Sequence, residues 1–161
     1  PTAKVIYILR DPLARAVSAL RMFILWNLGK DHSEPLHLDE TGYKFIRNAK
    51  LMQHGDYLRN LRAWRRHYPD MLVLNYEDFH TDRAASVARI FGDLGLEMDA
   101  ISPDERTRLD TLMAGRVWAS EKFPMDRAVL MMLQGMTWRF RQQCAHDLGM
   151  RFAEGERLLA A

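Results

Sequence analysis

Between Val5 and Leu9 the chain reads VIYIL, five apolar positions in a row, and then breaks into Arg10-Asp11-Pro12. An unalternating run rich in β-branched and aromatic residues fits a strand covered on both faces, as parallel strands are in α/β proteins. Behind it, Asp11 has the side chain to cap a helix, and Pro12 suits the first helical position, where no N–H partner is lost. Val17, Leu20, Ile24 and Leu28 recur at helical spacing, so this helix is expected to reach Leu28 and stop at Gly29. Residues 29–42, GKDHSEPLHLDETG, are polar with Pro and Gly and read as a loop.

A second helical stripe begins after Asp56, where Tyr57, Leu61, Trp64 and Tyr68 share one face and Pro69 closes the element. Arg59, Arg62, Arg65 and Arg66 fill its other faces as a solvated basic surface, with an anionic glycan as the functional alternative. MLVLNYEDF then reads as a second buried strand running into a polar turn. Val87, Ile90, Phe91 and Leu94 mark a helix that Gly95 ends. Ser102-Pro103-Asp104-Glu105 has the form of a capping box, opening a helix through Leu109, Leu112 and Met113. Residues 115–127 look like a loop and 127–148 like a helix carrying Leu130, Leu133, Trp138, Phe140 and Leu148. Trp118, Phe123, Trp138 and the methionines are expected to make core contacts. Strand, helix, helix, strand, helix is the order of an α/β layered fold.

Composition narrows the picture only modestly. With 161 residues and 48% hydrophobic content the chain can build one sizeable core, so a single domain is expected. A net charge of +2 provides no global field for a nucleic-acid binder, and any anion site must be local. The single cysteine, Cys144, excludes an internal disulfide framework and points to a reducing, cytoplasmic setting. No apolar run approaches the roughly 20 residues of a membrane span. Because PTAK leads almost at once into a strand, the sequence is expected to be an excerpt of a longer protein.

The chemistry concentrates at the first strand-to-helix turn. Open α/β sheets bind ligands at the carboxyl ends of their strands, which is where Arg10 falls, and the following helix start favours an anion. Ser18, seven residues past Asp11 and so about 10 Å along the helix, would meet a phosphate from the flank. Arg15 and Ser18, three apart, share a face on which a guanidinium fork and a hydroxyl suit phosphate oxygens. The same residues also fit a plainer account, in which the arginine pairs with a nearby carboxylate and the serine is an ordinary helical residue.

YILRDPLARAVSAL resembles the 3′-phosphate-binding segment of sulfotransferases that use 3′-phosphoadenosine 5′-phosphosulfate (PAPS), in which a strand-end Arg and a Ser eight positions later hold that phosphate. The matching residues here are Arg10 and Ser18; Asp11-Pro12 and Arg15 are similar to the carbohydrate-type members, with their Arg-Asn/Asp-Pro-x-x-Arg-x-x-Ser pattern. GDYLRNLRAWRRHYPDMLVLNYEDF resembles the family's Tyr-x-x-x-Leu-x-x-Trp helix, Pro, and strand ending Tyr-Glu-Asp. FRQQCAHDLGMRFAEGERLL is a looser match to its terminal helix, where an acidic residue precedes a Leu-rich segment. The resemblance implies a P-loop NTPase-like parallel sheet with flanking helices, here an incomplete, helix-rich fragment. It further implies PAPS as co-substrate without a metal, transfer of a sulfuryl group to a carbohydrate or small-molecule hydroxyl, and Arg116, in a late basic loop with Lys122, as a further donor contact.

The family's Lys-containing phosphate loop has no counterpart among the nine scattered glycines. The sulfuryl-transfer lysine and the general base are therefore expected upstream of Pro1, no catalytic residue is assigned in this chain, and the fragment is expected to be inactive alone. Rival readings are a P-loop-type kinase, which the Arg-to-Ser spacing disfavours, and a non-catalytic helical interaction domain. His32 and His37 read as solvated, His54 and Tyr57 as a helix flank near the family's acceptor region, and Glu77 and Asp78, which could pass for a paired acid and base, as capping and ion-pairing residues.

Overall fold

A computed structural model describes residues 3–29, 34–114 and 124–160. Its contacts divide the chain into two compact units, one comprising Pro1–Leu9 and Leu61–Ala119, the other Arg10–Asn60 and Ser120–Ala161. The architecture is mixed and helix-rich, with one small parallel sheet of two strands among the described residues.

The first unit holds that sheet. β1 (Ile6–Leu9) pairs in parallel with β2 (Leu72–Asn75), Ile6 opposite Leu72 and Leu9 opposite Asn75. Both strands were legible as apolar runs, but β1 is not covered on both faces: Leu9 is buried whereas Ile8 is 46% exposed. With a single neighbouring strand among the described residues, the alternate side chains of β1 find no second layer. Asn75 ends β2 and accepts the Glu77 N–H at 3.0 Å, so what reads as a polar turn is the N-cap of a short helix, α5 (Tyr76–Thr81). Glu77 and Asp78 lie in its first turn, where carboxylates are favoured. α6 (Arg83–Asp93) follows, capped by Asp82, whose carboxylate accepts the Ala85 N–H at 2.9 Å, and Gly95 turns the chain at φ 71°. α7 (Pro103–Ala114) opens on the anticipated capping box: the Glu105 N–H donates to the Ser102 hydroxyl at 3.3 Å, and the Ser102 N–H to Glu105 Oε2 at 3.1 Å.

The second unit is helical. α1 (Pro12–Leu28) begins where Asp11 Oδ1 accepts the Leu13 N–H at 2.8 Å and ends at Gly29, with φ 99°. Its buried stripe is Leu13, Val17, Leu20 and Ile24; Leu28 is half exposed, so the stripe starts one turn earlier than the spacing alone suggests. That stripe packs with Leu36, Ile46 and Leu51 and with Val129 and Leu133 of a long helix, α8 (Arg127–Leu148). Each such side chain contributes about 1.5–3 kcal/mol by leaving water. Trp138, expected in the core, is instead 52% exposed, because the buried face of α8 runs through Val129, Leu133, Thr137 and Cys144.

Two helices lie where no helix was anticipated. α2 (Glu40–Asn48) starts inside the polar stretch read as a loop, with Asp39 accepting the Gly42 N–H at 2.8 Å, and α3 (Leu51–Gly55) follows a left-handed Lys50 at φ 50°. α4 (Tyr57–Arg65) then buries Tyr57, Leu58 and Leu61, while Trp64 of the anticipated stripe is exposed and lies against Tyr68. Arg59, Arg62, Arg65 and Arg66 are all exposed. Gly149 ends α8 at φ 64°, and α9 (Glu154–Ala160) returns to pack Leu158 and Leu159 against the core.

Candidate functional site

Arg10 and Asp11 form the entrance to α1, and the segment from Phe152 to Glu156 closes on both. Asp11 is completely buried, with three groups directed at its carboxylate. Oδ1 takes the Leu13 N–H; Oδ2 takes the Gly155 N–H at 2.8 Å and lies 3.3 Å from Arg141 Nη2. Arg141, largely buried on α8, also donates to the Phe152 carbonyl at 2.9 Å and lies 3.6 Å from Glu156. A buried carboxylate is tolerable only when paired and hydrogen-bonded in this way. Gly155 is required by proximity: a Cβ there would sit 2.5 Å from Asp11 Oδ2.

Arg10 faces a different partner. Its Nε donates to Glu154 Oε2 at 2.9 Å and its Nη2 to Glu154 Oε1, a two-pronged grip in which both side chains keep about a quarter of their surface exposed. Arg15, one turn into α1, is exposed, and Ser18 is half-buried. One turn beyond Ser18, Arg21 has its pKa lowered, first by burial and then by the positive charge of Arg10. Arg10 and Arg21 thus lie within electrostatic range of each other, with Ser18 one turn before Arg21 along α1. Arg116 lies outside the described residues, as do Lys122, Trp118, Phe123 and His32.

Cys144 is buried on α8, within electrostatic range of Asp11. Removal from water raises its thiol pKa from 9.0 to about 11, helped by the negative charges of Asp147 and Asp11. His37 is an exposed histidine, as expected, yet it has a partner: Nδ1 lies 2.6 Å from Asp126 Oδ2, beside a short bridge in which Leu36 donates to the Pro124 carbonyl and accepts from the Asp126 N–H.

Sequence reasoning marked Arg10, Arg15 and Ser18 and missed Glu154, Gly155 and Arg141. An acidic residue before a Leu-rich end was the one visible signal, and it carried no indication that the chain returns across 144 positions to Arg10.

Residues 1–117 match the family described as Sulfotransferase domain. Sulfotransferase 2A2 of Rattus norvegicus is 30% identical over 105 residues, 64% of this chain and 34% of that protein, so the match spans about a third of the relative's length. No solved structure matches. The family match includes the Arg10–Ser18 turn, β2 and the capping box of α7, and on that extent the chain belongs to the sulfotransferase family.

Proposed function

We propose that this chain is part of an enzyme that transfers a sulfuryl group from PAPS to a carbohydrate hydroxyl, and that Arg10 and Ser18 hold the donor's 3′-phosphate. One observation carries the reading: Arg10 stands immediately after a strand and before a helix capped by Asp11, with a partly exposed guanidinium edge able to hold two oxygens of one anion, an edge that Glu154 occupies here as the plainer account of the sequence expects. The same two N–H groups match the spacing of two phosphate oxygens, and a phosphate dianion attracts them more strongly than a carboxylate does.

Within this reading Arg10 supplies charge and two parallel donors, and Ser18 supplies one hydroxyl from the flank of α1. Neither touches the transferring group. They fix the donor's register, which removes part of the entropic cost of bringing sulfuryl and acceptor together. Asp11 and Arg141 set the turn on which Arg10 is mounted. The Arg-Asp-Pro-x-x-Arg-x-x-Ser pattern, with Arg15 exposed, supports a carbohydrate acceptor, and a cytoplasmic setting suits the free, buried Cys144. The parallel pair β1–β2 supports a P-loop-like sheet extended by further strands.

Calorimetric titration with adenosine 3′,5′-bisphosphate tests the donor site. Saturable binding is expected, weakened at least tenfold by Arg10→Ala and several-fold by Ser18→Ala, with the loss of one charged hydrogen-bond partner worth about 1.5–3 kcal/mol. Equal affinity in all three proteins would falsify the assignment and leave the Arg10–Glu154 pair as architecture.

A further inference from the structure

Resting on the phosphate reading above, we infer that Glu154 is an internal counter-anion of Arg10 that competes with the donor's phosphate and so sets how tightly the donor is held. Glu154 places its two carboxylate oxygens on Nε and Nη2 of Arg10, the edge of the guanidinium whose two parallel N–H groups fit two oxygens of one anion. Phosphate and carboxylate cannot both take that edge.

The backbone beside Glu154 is fixed. Gly155 is buried, its N–H is held by Asp11 Oδ2 at 2.8 Å, and no side chain fits at that position. Leu158 and Leu159 anchor the same helix to the core. Exchange of anions therefore proceeds by rotation of the Glu154 side chain, with α9 staying in place. Solvent reaches the pair, since the side chains of Arg10 and Glu154 are 28% and 24% exposed.

Charge explains why the carboxylate would yield. Burial first, and then the positive charge of Arg10, lower the pKa of Arg21, so a second cation lies within electrostatic range of Arg10. A phosphate dianion offsets both cations better than the carboxylate monoanion does. The retained carboxylate charge then opposes the incoming phosphate, and Glu154 acts as a tuning residue.

The test compares wild type, Glu154→Gln and Arg10→Ala in the full chain, titrated with adenosine 3′,5′-bisphosphate and with adenosine 5′-monophosphate, which lacks the 3′-phosphate. Far-UV circular dichroism and a thermal melt verify the fold of each variant. Glutamine keeps the shape of Glu154 and removes its charge. Affinity for the bisphosphate is expected to rise about tenfold in Glu154→Gln, the scale of one unit charge beside a partly exposed site, with no change for the monophosphate. Unchanged or weaker bisphosphate binding in Glu154→Gln, with binding still lost in Arg10→Ala, overturns the inference and leaves the phosphate reading standing. Arg10→Ala binding as tightly as wild type overturns both.

Discussion

Asp11 shows how much one buried residue can organise. Its carboxylate caps α1, receives the Gly155 N–H and neutralises Arg141, so Asp11→Ala removes three interactions and leaves a largely buried guanidinium with only the exposed Glu156 beside it. The expected cost is about 3–5 kcal/mol, read as a lowered urea midpoint. Gly155→Ala acts on the same point from the other side, forcing a methyl against Asp11 Oδ2, and should cost about 1–3 kcal/mol. Cys144 gives a pH signature. Its folded pKa of about 11 lies above the ordinary 9.0, so in alkali the unfolded chain releases the thiol proton first. The stabilising effect is complete below pH 9 and is lost as pH rises toward 11, a fall of up to about 3 kcal/mol. Cys144→Ala should flatten that slope in denaturation curves taken between these pH values, and the native thiol should resist Ellman's reagent at pH 8. At this scale the sequence was legible wherever partners are local: Asp11 as cap and Gly29 as stop need only the next few residues. Glu154 was not, because pairing across 144 positions leaves no periodic trace.

Helices declared themselves in the sequence when cap and stripe agreed. α1 has both an apolar face and a terminal glycine, and its bounds followed closely; α8 was placed by its apolar residues alone, and its bounds held although its buried face differs from the one they suggest. α2 and α3 did not, since the break between them rests on Lys50, held at φ 50°, where Gly or Asn would have signalled a turn. A lysine in that conformation is strained, and Lys50→Gly should raise the thermal midpoint by an amount equivalent to about 1 kcal/mol. The capping box of α7 offers a second check. Hydrogen bonds from the Ser102 side chain, then its backbone, lower the pKa of Glu105 below 4.5. That contribution is present above the ordinary carboxylate range and disappears as pH falls through the lowered value, so the first turn of α7 should fray in acid. Ser102→Ala should cost about 1 kcal/mol at neutral pH, and amide exchange at the start of α7 should speed up accordingly.

Across the whole molecule, the core and the proposed phosphate site rest on different residues of the same unit, and this makes stability and the proposed binding separable. Leu133 is fully buried among Leu13, Val17 and Leu20, far along α8 from the Arg141 end that grips Asp11. Leu133→Ala should cost about 3–4 kcal/mol through lost burial and the cavity left behind. Arg10 and Ser18 make no contribution to that core, so the folded variant should bind adenosine 3′,5′-bisphosphate with wild-type affinity. Ligand that binds only the folded state restores about 2.7 kcal/mol at a hundred times its Kd, most of what the cavity removes. Thermal melts of Leu133→Ala should therefore recover most of their midpoint on adding the bisphosphate, while Leu133→Ala/Arg10→Ala should recover no more than about half as much, since a tenfold weaker site yields about 1.4 kcal/mol at the same ligand concentration. Equal rescue in the double variant would place the nucleotide elsewhere. The apolar content of the sequence anticipated a substantial core but gave no sign of a division into two units, because Arg10–Asn60 is completed by chain from Ser120 onward, and a pattern read in short windows contains no term for such a return.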